Sequence, residues 1–190
     1  MNDTWSTYYE ASLNKPLHHV FQHAEPYLKA GGLAVDLGFG VGLGVQFFLS
    51  HGYRVLAVDS DPEAALHLRR RLPDDAEVEC RIQDFNDFDC PPCDVVAALF
   101  SLFFLPPSQF LPVWKRLTRA LKPGGVFMGQ ILGVNDDWAA RGYSVFTKTE
   151  VEDLLQDFDI TYFEEVDRDG ITLLNEPKHW HIFHIVAIKR

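Results

Sequence analysis

Cysteine, basic charge and long apolar runs are scarce in this chain, and each scarcity excludes something. Three cysteines among 190 residues cannot all pair, and a chain kept in the cytosol holds its thiols reduced. Cys90-Pro-Pro-Cys93 has the spacing of a redox or metal pair. No second such pair exists, and the segment falls in a loop just before an apolar run, so no metal is assigned to it.

Lys and Arg number 17 against 27 Asp and Glu, for a net charge of -10. A nucleic-acid surface needs a basic stripe to displace counterions, so nucleic acid is not an expected partner. The one dense basic cluster, Arg69 to Arg71, falls within a predicted helix and reads as a solvated face. The longest apolar run, Val95 to Leu105, is shorter than the ~20 residues of a membrane span. The amino terminus, Met-Asn-Asp-Thr-Trp, lacks the basic-then-apolar order of a secretory signal. The expectation is a cytoplasmic protein with no membrane partner.

What the chain does contain is a 47% hydrophobic fraction with 13% aromatics, enough for one packed core and a single domain over residues 1–190. Residues 4 to 29 read as an N-terminal helical cap, with Asp3 or Thr4 capping a first segment and Pro16 opening a second. Apolar runs at 33–37, 54–58, 77–82, 94–100, 126–132, 160–166 and 180–188 read as seven strands. Helical segments separate the first five, with Pro112 expected in the first turn of the one beginning near Ser108. Thr147-Lys148-Thr149-Glu150 fits a capping box. No helix separates the last two runs, so they should pair antiparallel. The fold class is therefore α/β: a doubly wound, Rossmann-like seven-stranded sheet, mostly parallel with an antiparallel last strand, plus the helical cap.

The most informative stretch runs from Leu33 to Asp59: strand, glycine-dense turn, helix, strand, with Asp36 near the end of the first strand and Asp59 ending the second. In open α/β sheets ligands sit at the carboxyl ends of the strands, and an acid at the second strand's end is placed to accept ribose hydroxyls. The dinucleotide pattern G-x-G-x-x-G fails in every register, because Leu43, Val45 and Phe47 stand where its last small residue belongs. The actual run is D-x-G-x-G-x-G, and its leading acid would repel a pyrophosphate and attract an ammonium.

Val35-Asp36-Leu37-Gly38-Phe39-Gly40-Val41-Gly42, followed by Asp59, resembles the first motifs of the class I S-adenosylmethionine-dependent methyltransferases. Gln83-Asp84-Phe85 is similar to the segment where that family meets adenine, and Leu121-Lys122-Pro123-Gly124-Gly125 to the turn before its fifth strand. Phe39 departs from the family, which commonly has Cys, Ser or Thr there. The resemblance implies a site for S-adenosylmethionine, with S-adenosylhomocysteine as product, built from Asp36, Gly38, Phe39, Gly40, Gly42, Asp59, Ser60, Asp84, Phe85 and Phe100. Asp36 would hold the ammonium, Asp59 the ribose and Asp84 the adenine.

Trp5 to Tyr9, Asn14-Lys15-Pro16 and Lys178 to Phe183 look like a group of small bacterial enzymes, distantly similar to tellurite-resistance and thiopurine methyltransferases. That likeness makes Tyr8, Tyr9, Asn14, Lys15, His179, Trp180 and His181 candidate substrate contacts. His179 and His181 would share a strand face, but no third metal ligand has a recognisable spacing, so no metal is expected. Leu99-Phe100-Ser101-Leu102 replaces the Asn/Asp-Pro-Pro-aromatic run of nucleic-acid amino-methylating enzymes, which favours a small-molecule acceptor.

Methyl transfer is an in-line displacement at a sulfonium, and positioning in a dry site can supply much of its catalysis. A general base is optional, and no catalytic residue is named. The alternative function is a non-catalytic regulatory protein that binds S-adenosylmethionine or S-adenosylhomocysteine on the same fold.

Overall fold

A computed structural model describes the backbone of residues 2–190 and the side chains from Trp5 onward. The cap proposed for Asp3 or Thr4 lies outside the described side chains. Two helices lead the chain, α1 (Asn2–Ser12) and α2 (His19–Ala24). Pro16 opens neither. The second helix begins after His18, whose extended backbone and Nδ1 cap the Val20 amide, because a side-chain acceptor can satisfy a first-turn N–H that a proline merely deletes.

Strands β1 (Leu33–Leu37), β2 (Arg54–Asp59), β3 (Val78–Ile82), β4 (Cys93–Ala98) and β5 (Leu121–Gly133) then alternate with helices α3 (Leu43–Ser50), α4 (Pro62–Arg71) and α5 (Pro107–Ala120). Between β3 and β4 there is only a loop. A two-residue strand, β6 (Val145–Phe146), pairs parallel with the end of β5, and α6 (Lys148–Leu154) carries the expected capping box at Thr147 and Glu150. The last strands, β7 (Phe158–Ile171) and β8 (Pro177–Lys189), form a long antiparallel hairpin.

The sheet order is β3-β2-β1-β4-β5-β8-β7, with β6 beside β5. β1 to β5 are parallel, and β8 runs antiparallel between β5 and β7. The expected α/β architecture holds, with one short strand more than the seven anticipated. β4, the most apolar strand, sits in the middle of the order.

Successive residues of each strand serve opposite faces. Val35, Val96 and Phe127 join Phe110 and Trp114 of α5 in one core, whereas Ala34, Val95 and Met128 join Val20, Val45, Phe48 and Leu68 in the other. The run of apolar residues in β1 and β4 reflects cover on both sides. Pro112 lies inside α5, beyond its first turn, at an exposed position. There the lost backbone hydrogen bond faces water. Among the described residues no helix is long and apolar enough to cross a membrane.

Candidate functional site

The strand order reverses between β1 and β4, and in open α/β sheets such a reversal opens a crevice at the strands' carboxyl ends. A cleft of about 280 Å³ occupies that place. Its walls are Gly38 and Gly40 after β1, Asp59, Ser60 and Asp61 after β2, Asp84 and Phe85 after β3, and Leu99 to Ser101 after β4. Trp5, Tyr8 and Tyr9 of α1 and the segment Phe104 to Pro106, with Gln109, complete it.

Asp59 is 9% exposed and each of its carboxylate oxygens already receives one amide: Oδ2 from Gly40 at 3.1 Å and Oδ1 from Asp61 at 3.0 Å. A carboxylate oxygen has a second lone-pair site, so this acid can still accept from a ligand hydroxyl while fixing the glycine loop. Burial is the main cause that raises its pKa. Asp84 Oδ1 accepts from the backbone and side-chain nitrogens of Asn86, and the Arg116 guanidinium holds the carbonyls of Phe85 and Asn86 at 2.7 and 2.8 Å. The loop after β3 is thus tied down to α5.

Two features mark the floor of the cleft. Gly38 has a φ of +72°, and a Cβ there would come within 2.5 Å of Ser101 Cβ, so only glycine lets the loops after β1 and β4 approach this closely at the cleft floor. Opposite it, Ser101 Oγ is buried and has no hydrogen-bond partner among the described residues. A buried orphan hydroxyl costs stability unless a ligand or water completes it. Next to it, Phe100 has a φ of +51°, an unusual conformation for a bulky residue. Its amide is anchored to Oε1 of the fully buried Gln130 at 2.9 Å.

Several expected contacts do not line the cleft. Asp36 is 4% exposed, and its carboxylate lies beside Gly44 in the first turn of α3, where a Cβ would stand 2.6 Å from Oδ2. Burial, then the charge of Asp59, pushes its carboxyl up to about 7. Phe39 turns inward to the core shared with Tyr9 and Val41, because an aromatic ring beside a glycine loop gains more from burial. Gly42 serves packing: with a φ of +81° it caps α3, and a Cβ there would strike Leu68.

Asn14 and Lys15 are exposed and also lie off the cleft. The chain there is carried over α4, where Arg71 bonds the carbonyls of Leu13 and Val41 and the side chain of Gln46. Arg71 is therefore a clamp and not the solvated side chain expected of the basic cluster.

The Lys178 to His181 run is the largest departure. β8 pairs with β5 only as far as Leu132 opposite Ile182, so the preceding amides need other acceptors. Asp136 takes the His181 amide at 3.0 Å and Asp137 the His179 amide at 2.7 Å. His179 bridges Asp167 and Asp169, and His181 accepts from the Asn135 amide and meets Glu165. Trp180 packs beside Trp138 and edge-on to Phe100, 6.3 Å away, so it supports the cleft wall from behind.

Tyr8 and Tyr9 do reach the cleft. Burial raises both phenols above their ordinary range, Tyr9 with help from Asp59, so they stay neutral. Asp61, Leu99, Ser101, Phe104, Leu105, Pro106 and Gln109 line the cleft without having been named as contacts, and so does Trp5. The aromatic content of the first turns of α1 was a sequence signal for Trp5 alone.

Residues 34–125 match the family model described as a methyltransferase domain. Over 113 residues the chain is 29% identical to the carboxy-S-adenosyl-L-methionine synthase of Citrifermentans bemidjiense, covering 55% of this chain and 46% of that protein. The same enzyme of Chromohalobacter salexigens is 30% identical, with 42% of its length covered. The chain spans less than half the length of these curated relatives.

Among solved structures, TehB of Haemophilus influenzae superposes with a TM-score of 0.78 at 15% identity, over 98% of this chain and 67% of that one. The 1,6-didemethyltoxoflavin-N1-methyltransferase of Burkholderia thailandensis, solved with its substrate and S-adenosylhomocysteine, gives 0.69 at 22% identity, over 98% and 81%. At these identities the superpositions speak for the fold. Taken with the domain match across the glycine loop and the first four strands, they agree on one assignment: residues 34–125 carry a methyltransferase domain, set in the fold of the S-adenosylmethionine-dependent methyltransferases.

Proposed function

We propose that the chain transfers the methyl group of S-adenosylmethionine to a small, largely apolar acceptor held in the β1–β4 cleft. The observation that carries this reading is the pairing of Gly38 with Ser101 at the strand ends: a close loop approach that only glycine allows, beside a buried hydroxyl without a partner among the described residues. Asp59 would hold the ribose, Asp84 the adenine edge, and Ser101 a polar atom of the cofactor or acceptor. Asp36, buried behind the loop with its carboxyl pushed up to about 7, would act on an ammonium without contact and only in its ionised form.

The bound cofactor supplies an electrophilic methyl carbon on a sulfonium. The chain's contribution is positioning and exclusion of water. Trp5, Tyr8 and Phe104 form an edge-to-face aromatic wall, with Trp5 centred 5.6 Å from both other rings. Such a wall suits a flat apolar molecule. The acids Asp59, Asp61 and Asp84 at the cleft disfavour a polyphosphate or nucleic-acid backbone, as does the net charge of -10. Neutral Tyr8 and Tyr9 can orient an acceptor by hydrogen bonding without acting as bases, which suits an acceptor that brings its own thiolate, oxyanion or free amine.

The test is calorimetry with S-adenosylmethionine and S-adenosylhomocysteine, followed by a screen for S-adenosylhomocysteine release with apolar thiols, phenols and amines. Absence of binding by folded protein overturns the reading. Tight binding without turnover across the panel would replace it with a non-catalytic sensor of the same ligands.

A further inference from the structure

We propose that His18, His19 and His184, with Glu164, form a binding site for one borderline divalent cation of the Zn2+ class. The four residues come from three parts of the chain: the start of α2, the middle of β8 and the facing position of β7. Ligand atoms of the three histidines lie within 4.8 Å of one another. Their rings crowd together, with centroids 4.1 Å apart for His18 and His19, 4.9 Å for His19 and His184, and 5.0 Å for His18 and His184. Glu164 Oε2 is 3.2 Å from His19 Nε2.

Imidazole nitrogen suits Zn2+, Ni2+, Cu2+ and Fe2+, and three imidazoles with one oxygen ligand complete a tetrahedral set. Bonds of about 2.0–2.1 Å in that geometry place ligand atoms about 3.4 Å apart. The histidines must therefore close by up to about 1.4 Å, a side-chain rotation. The contacts in the way are long ones: His18 Nδ1 to the Val20 amide at 3.3 Å, and Gln130 Nε2 to Nδ1 of His18 and of His184 at 3.4 Å each.

The surroundings are those of a supported site. Tyr162 donates its hydroxyl to Glu164 at 2.5 Å, and its ring stacks on His23 at 3.6 Å. Outer partners of this kind orient metal ligands. Gln130 joins the cluster to the cleft, because its Oε1 accepts the Phe100 amide, and the His18 ring meets Phe100 edge-on at 5.3 Å. A cation here would brace the strained residue that walls the cleft.

The whole chain, stripped with a chelator and dialysed, is titrated with ZnCl2 against a chromophoric competitor and separately with CoCl2, read by visible absorption. The expected result is one equivalent bound, a tetrahedral Co2+ band, and a Tm that rises with Zn2+. His19→Ala, at a side chain 41% exposed and so tolerant of truncation, should weaken Zn2+ binding at least tenfold and remove the band. Glu164→Gln should weaken it between about 3-fold and 100-fold. His179→Ala, at the partly exposed imidazole between Asp167 and Asp169, should change nothing. The proposal is overturned if the wild-type chain binds no Zn2+ at micromolar concentration, if His19→Ala leaves the affinity unchanged, or if the affinity follows His179.

Discussion

The Arg71 guanidinium donates its Nε–H to the Val41 carbonyl at 2.6 Å and reaches the Leu13 carbonyl at 2.9 Å with Nη2. One side chain at the end of α4 thereby fastens the glycine loop and the end of the α1 cap to each other. Tyr8 and Trp5, two of the cleft's walls, are carried on that cap.

Arg71→Ala should loosen the cap more than it unfolds the core. A loss of about 1–3 kcal/mol follows from leaving two carbonyls short of a charged donor. Limited proteolysis should cut earlier within residues 1–16, and Arg71→Lys should recover little, since an ammonium lacks the fork that spans both acceptors.

Gly38→Ala should destabilise the protein by about 1–3 kcal/mol, because it forces a side chain into a left-handed backbone and against Ser101. Ser101→Gly in the same chain should return part of that loss by removing the atom that is struck. Urea midpoints of the two single variants and the double variant measure the coupling.

Asp59→Ala should weaken S-adenosylmethionine binding by about 1–3 kcal/mol, or roughly 5- to 150-fold in Kd, by removing an acceptor for ribose hydroxyls and freeing the Gly40 amide. Calorimetry reads the change. Unaltered affinity would place the ribose elsewhere.

Asp36 should make stability fall as pH rises. Its carboxyl titrates at about 7 in the folded chain and near 3.9 when unfolded. Between those values the folded state keeps a proton that the unfolded state has lost, so stability drops across about pH 4 to 7 and levels off above. Asp36→Asn should remove roughly 2–4 kcal/mol of that pH dependence, seen as converging denaturation midpoints at pH 5 and pH 8.

Trp5→Ala should raise the acceptor KM about 5- to 50-fold, from loss of one large aromatic contact, while the Kd for S-adenosylhomocysteine stays within about twofold. Equal losses in both would mean that the wall serves the cofactor.

Local chemistry alone specified much of this protein. Apolar runs closed by acids, glycines at 38, 40 and 42, and the Thr147–Glu150 capping box marked the strands, the turn and α6, since each depends on near neighbours in sequence. Tertiary structure decided which of the marked residues face the ligand. Asp36 and Phe39 were legible as part of the motif, yet burial of the strand end and of the ring took both out of the cleft. The run Lys178 to His181 was legible as strand, but its amides outran β5 and were taken up by Asp136 and Asp137, which fixed its side chains elsewhere. Ser101 against Gly38, Arg71 against Val41, and His184 against His18 and His19 join segments 30 or more residues apart, and no spacing in the sequence encodes such contacts. They follow from strand order and register, which only the packed sheet sets.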